Sequence, residues 1–161
     1  MSERVTAYWV IVASLLFAAV LAVIPLTRSL LWWRPEWILL VLLYWTIALP
    51  HRVGLVTALV VGLLVDVMEG AVLGQNMLSL AVVVTLARLM YQRLRVFTLV
   101  QQASVVFVFV GLHQLVTQWL QGLQGGAAPG FGFLFPALST ALLWPLLMPV
   151  LREVRRSYKV N

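Results

Sequence analysis

Val5-Thr-Ala-Tyr-Trp-Val-Ile-Val-Ala-Ser-Leu-Leu-Phe-Ala-Ala-Val-Leu-Ala-Val-Ile-Pro-Leu26 carries no charged side chain from end to end. About 20 apolar residues in a helix cross the hydrocarbon core of a bilayer, so this stretch is long enough to span. Comparable runs recur down the chain, interrupted only by short charged or Gly/Pro-bearing segments. Hydrophobic residues make up 63% of the 161, and mean hydropathy is +1.01. A soluble domain of this length could not hide so much apolar surface. The expectation is therefore an all-α, polytopic membrane bundle forming a single transmembrane domain over residues 1–161.

The first run also resembles a secretory signal, since Met1-Ser-Glu-Arg4 precedes it and small residues lie in Phe17-Ala-Ala-Val-Leu-Ala22. It is longer than the roughly 7–15 residues of such a segment, and the downstream sequence is equally apolar, so an uncleaved first span is expected. The chain has 0 cysteines, which removes disulfides, thiolate metal sites and thiol nucleophiles. Its net charge of +6 would suit nucleic acid, but the charges sit at the ends of apolar runs. That is the membrane pattern, and no nucleic-acid partner is expected.

Six helical runs can be drawn: Val5–Leu26, Leu30–Leu49, Val53–Met68, Leu73–Tyr91, Leu99–Leu120 and Phe133–Leu151. The third reaches only about 24 Å, against a core of about 30 Å. Local thinning or a break near Gly62 or Gly70 would accommodate it, and five spans with a re-entrant hairpin are the alternative. With six spans and an inner N-terminus, Arg4, Arg52, Arg88, Arg93, Arg95, Arg152, Arg155, Arg156 and Lys159 fall inside. Only Arg28 and Arg34 fall outside. This asymmetry predicts two cytoplasmic termini, with residues 152–161 as a short basic tail. Trp32, Trp33, Trp37 and Trp119 fall at the outer interface, and Trp9, Tyr91 and Tyr158 at the inner one, where amphipathic rings settle. Pro136, Pro145 and Pro149 are expected to bend or break the sixth span.

Ionisable groups inside spans are costly and mark sites. Asp66 and Glu69 share a helix face, and His113 falls at a similar depth. Asn76, Gln114, Gln118, Ser139 and Thr140 also map to the outer half, leaving the inner half nearly without polar groups. Asp66, Glu69, Asn76, His113 and Gln114 are the candidate cleft residues, acting either as internal glue or as the lining of a pocket open to the outside. A lone His113 is a poor metal candidate, and neither a catalytic set nor a cofactor site is expected. Ser14, Ala18 and Ala22 form a small-residue stripe on which a helix of this chain or of a partner could dock.

Arg34-Pro-Glu-Trp-Ile-Leu-Leu-Val-Leu-Leu-Tyr-Trp45 with Ala48-Leu-Pro-His-Arg52 resembles the second span of the bacterial rod-shape-determining MreD family. Gly62-Leu-Leu-Val-Asp66-Val-Met-Glu-Gly70-Ala-Val-Leu-Gly74 resembles its central motif, and Leu143-Trp-Pro145 with the basic tail its last span. The motif residues carried over are Arg34, Pro35, Trp37, Gly62, Asp66, Gly70 and Gly74; Glu69 stands where an apolar residue is expected. The resemblance implies an inner-membrane subunit of the cell-wall elongation complex. Its implied partners are MreC, RodA with a class B penicillin-binding transpeptidase, MreB filaments and membrane lipids. It also implies a fold similar to the substrate-binding subunits of energy-coupling vitamin transporters. A non-enzymatic scaffold is the expected function. A solute-binding or transport subunit using the outer polar layer is the alternative, and an intramembrane enzyme lacks a credible nucleophile.

Overall fold

A computed structural model describes residues 2–25, 27–126, 130–158 and 160, with the side chains of 2–6 and 133 not described. Leu26, Lys159, Asn161, the loop positions 127–129 and the side chain of Arg4 thus lie outside the described residues. The architecture is all-helical: α1 (Ser2–Val23), α2 (Trp37–Ala48), α3 (Leu55–Glu69), α4 (Gln75–Val96), α5 (Leu99–Leu123) and α6 (Leu134–Ser157). Short 3-10 turns at Leu31–Trp33 and Phe131–Phe133 lead into α2 and α6. Among the described residues there is no strand.

Among the described residues, three helices, α4, α5 and α6, are long and apolar enough to cross a membrane by length and composition. Large apolar side chains such as Val56, Leu89, Val100, Leu142 and Leu146 point away from the protein on several helices. Soluble surfaces rarely expose so much contiguous apolar area. α2 behaves oppositely. Every side chain from Leu39 to Ala48 is buried, because α2 is apolar all round and is surrounded by α1, α4 and α6. The second apolar run extends over Leu30–Leu49, but its helix begins only at Trp37, since Pro35 and the preceding 3-10 turn delay it. At 12 residues it reaches about 18 Å, and α3, at 15 residues, about 22 Å. Both fall short of a hydrocarbon core.

α3 is unbroken at Gly62. That glycine instead lets α3 and α4 meet: a Cβ there would lie 2.5 Å from Met77 Cα. α6 likewise continues through Pro145 and Pro149 without the break that was one of the two expected outcomes, and Pro136 falls in its first turn, where a missing N–H costs little. The helix continues to Ser157, so most of the basic tail extends α6. α4 also outruns its expected end at Tyr91 and carries Arg93 and Arg95 in its last turn. There Arg95 donates from Nε to the Ile47 carbonyl (2.9 Å) and from Nη2 to that of Ala48 (2.7 Å), closing the C-terminus of α2. A tight turn leads on to α5, which is capped by a reciprocal Thr98–Gln101 box.

That end of the bundle collects Arg52, Arg88, Arg93, Arg95, Arg152, Arg155 and Arg156. It is not free of buried polar groups, as the sequence suggested. Gln102 is buried there, donating to the Leu94 and Phe97 carbonyls (2.8 and 3.2 Å) and accepting from the Trp144 indole (3.1 Å). Near the end of a run, a glutamine reads as a headgroup residue; the inward turn of α5 buries it instead.

Gly62→Ala should push α3 from α4 and lower stability by about 1–3 kcal/mol, the usual cost of overpacking. Thermal unfolding in detergent checks this, with Gly111→Ala, where the added Cβ meets nothing, as the neutral control.

Candidate functional site

The candidate site lies at the opposite end of the bundle and begins with the turn between α3 and α4. α3 ends because Gly70 enters the left-handed region (φ +62°), letting the Ala71 N–H return to the Asp66 carbonyl at 2.9 Å. Gly74, also left-handed (φ +103°), delivers the chain to α4 without a side chain to cap it. The carboxylate of Asp66 supplies the cap from the neighbouring helix. It accepts the N–H groups of Gly74 (2.9 Å), Asn76 (2.8 Å) and Met77 (3.5 Å). Asp66 is 0% exposed, so these amides and the positive end of the α4 dipole take the place of water. The spacing of Asp66, Gly70 and Gly74 thus has one physical cause: two positive-φ turns bring the first turn of α4 onto one carboxylate.

Around this cap the polar residues pair across helices. Asn76 Nδ2 donates to Glu69 at 3.0 Å. Ser79 Oγ pairs with His113 Nδ1 and also donates to the His113 carbonyl at 3.1 Å, bridging α4 and α5. Glu36, just before α2, donates its N–H to Thr140 Oγ1 at 2.9 Å, and its carboxylate accepts the Gln114 amide. Glu36 therefore ties the start of α2 to α5 and α6. These groups surround a cavity of about 190 Å³ whose lining includes Arg34, Pro35, Glu36, Trp37, Glu69, Asn76 and His113. Ala22 closes one side.

Of the residues singled out from the sequence, Arg34, Pro35, Trp37, Glu69, Asn76 and His113 meet in this cavity, and Gln114 joins through Glu36. Asp66, Gly70 and Gly74 build the turn that carries part of its wall, and Gly62 lies apart in the α3–α4 contact. Gln118 and Ser139 do not join: Ser139 bonds the Pro136 carbonyl of its own helix, and Gln118 turns to a separate opening beside Trp32. Ser14 and Ala18 face α2, where the Trp45 indole donates to Ser14 Oγ at 2.8 Å and Ala18 is buried. Two contributors escaped the sequence analysis. Glu36 was hidden inside a recognisable motif at a run's edge, although it is a carboxylate beside an apolar helix. Ser79 was indistinguishable from any small polar residue in a span.

Chemically, the Ser79–His113 pairing has the members of a nucleophile and its base. Ser79 nevertheless has no exposed surface, and its hydroxyl is shared with a backbone carbonyl, so the geometry is that of a helix bridge. The cavity falls below the roughly 300–1,000 Å³ of pockets that enclose small organic ligands. Among the described residues no group of three His, Cys, Asp or Glu could hold a metal.

Fold and site together define a helical membrane bundle whose polar residues are used chiefly to join its helices. A family model described as "rod shape-determining protein MreD" matches residues 3–154, and the chain belongs to that family. It is also similar to a curated relative, the rod shape-determining protein MreD of Haemophilus influenzae, at 28% identity over 162 residues and 100% of both chains. No solved structure matches the chain.

Asp66→Leu should leave three N–H groups at the start of α4, one of them buried, without this partner and destabilise the bundle by roughly 2–4 kcal/mol. Asp66→Asn keeps an acceptor and should lose less than half of that. Thermal unfolding of the two variants in the same detergent measures the difference; equal losses would mean that the carboxylate is not acting as a cap.

Proposed function

We propose that this protein is a non-enzymatic scaffold of the lateral-wall elongation complex in the bacterial inner membrane, with both termini cytoplasmic. In this role it binds MreC and the RodA–transpeptidase pair, near MreB filaments. Membership of a rod-shape-determining family supports the role in cell shape. The observation that carries the scaffold role is the seating of α1.

α1 packs chiefly on α2, through Ala7, Ile11, Ser14 and Ala18. Apolar grooves of about 510 and 530 Å³ flank it, the first against α6 and the second against α3. On α1 the α1–α6 groove is lined by Ala13, Ser14 and Ala18 set beside the larger Trp9 and Phe17, and on α6 by Leu147 and Val150. In lipid, association comes from close packing of such surfaces, and a single partner helix such as the span of MreC fits this arrangement. The small-residue stripe thus seats α1 within the chain and leaves its edge to the groove.

Val150 is 59% exposed, so Val150→Trp fills the groove without entering the core. Co-purification of MreC in mild detergent should fall roughly tenfold, the scale of one well-packed contact. Leu89→Trp, at a position 76% exposed on α4, should change nothing. Cells relying on V150W should become round; MreC retained at the wild-type level by that variant would exclude the groove as its seat.

Orientation has its own test. Reporters fused after Gly126 and after Asn161 should lie on opposite sides of the membrane, because the basic end of the bundle is expected inside. Two fusions reporting the same side would overturn that orientation.

A further inference from the structure

A second polar cavity, about 260 Å³, opens at the basic end between α2, α4, α5 and α6. Arg95, Arg152 and Arg155 line it, with Tyr44, Gln102 and Met148, and among the described residues no acidic side chain is part of its wall. Three guanidinium groups around one small space favour an anion among them. Two of the three are already positioned. Arg95 is held by the Ile47 and Ala48 carbonyls, and Arg155 Nε donates to the Val160 carbonyl at 3.1 Å. The floor is fixed as well, since Gln102 is buried with its amide fully engaged by Leu94, Phe97 and Trp144. Binding at such a site loses little side-chain freedom, and guanidinium groups match the oxygens of a phosphate.

We infer that this cavity binds a phosphate group, and that the phosphate is the headgroup of an anionic phospholipid. A lipid is favoured over a soluble anion by where the cavity lies: it opens among the ends of α2, α4 and α6 at the basic end of a membrane bundle, the level at which headgroups gather. Basic pockets between membrane helices take anionic headgroups in this way. The site is separate from the α1–α6 scaffold contact and does not depend on whether MreC docks there.

The test uses the full chain, purified, delipidated and reloaded with phosphatidylglycerol or phosphatidylcholine, with bound lipid read by native mass spectrometry. Wild type should retain phosphatidylglycerol in preference to phosphatidylcholine, and millimolar inorganic phosphate should not displace it. Arg152→Gln with Arg155→Gln should reduce that preference about tenfold, whereas Arg93→Gln with Arg156→Gln, an equal loss of charge at positions outside the cavity, should change it less than about twofold. If the double cavity variant does not fold, Arg152→Gln alone, which breaks no described hydrogen bond, should still weaken retention about threefold. Equal losses in the two pairs would reduce the effect to general surface attraction and overturn the site. Displacement by inorganic phosphate would overturn the lipid as its source, and the absence of any headgroup preference in wild type would overturn both.

Discussion

One buried carboxylate sets the relation between the two halves of this bundle. Asp66 belongs to α3 but closes the amino end of α4, so α4 has no satisfied start without α3. In water an exposed helix start is solvated at little cost. Inside a bilayer the same amides have no alternative partner, which makes the cap a condition of folding. The close α3–α4 contact at Gly62 depends on it, because the cap brings the backbones of residues 62 and 76–77 together. From α4 the constraint passes on: Asn76 orders Glu69, and Ser79 fixes α5 through His113.

α2 is the second organising element. It lies in the middle, too short to cross a bilayer, and is held at each end by borrowed groups. Arg95 closes its carboxyl end, while Thr140 and Gln114 fix Glu36 at its amino end. A short central helix with polar clamps above and below explains why this protein has a cavity at each end: the surrounding helices outrun it. One cavity gathers two acids, an amide and an imidazole with a single arginine, the other three arginines. The bundle is thus polarised along its axis, and the distribution of basic residues visible in the sequence is the outward sign of that internal difference.

Much of this was legible in the amino-acid sequence. Unbroken apolar runs disclosed the helices, and Asp66 was conspicuous because a carboxylate inside such a run needs a reason. Its role was not legible, since capping depends on the left-handed geometry of Gly70 and Gly74, which bends the chain back onto it. The prolines did not end the last helix. Pro145 and Pro149 each remove one backbone donor, but a helix packed on α5 stays continuous when single hydrogen bonds are missing. Run boundaries failed wherever a side chain changed the local rule, as at Pro35, which delays α2, and along residues 152–157, where a tail became helix. Glu36 and Gln102 were overlooked because hydropathy treats a polar residue at a run's edge as solvated, whereas both turn inward here.

The bonds made by Glu36 also bear on the order of assembly. Its partners Gln114 and Thr140 stand 78 and 104 residues later in the chain. At ordinary rates of synthesis, about 5–20 residues per second, Thr140 emerges about 5–20 s after Glu36. Through that interval the α3–α4 hairpin, whose cap spans only 8–11 residues, can already close. Glu36 meanwhile has no partner from α5 or α6 and must keep its water. The last helix to be made is therefore the one that seals the polar end, and α2 reaches its buried state only when the chain is nearly complete.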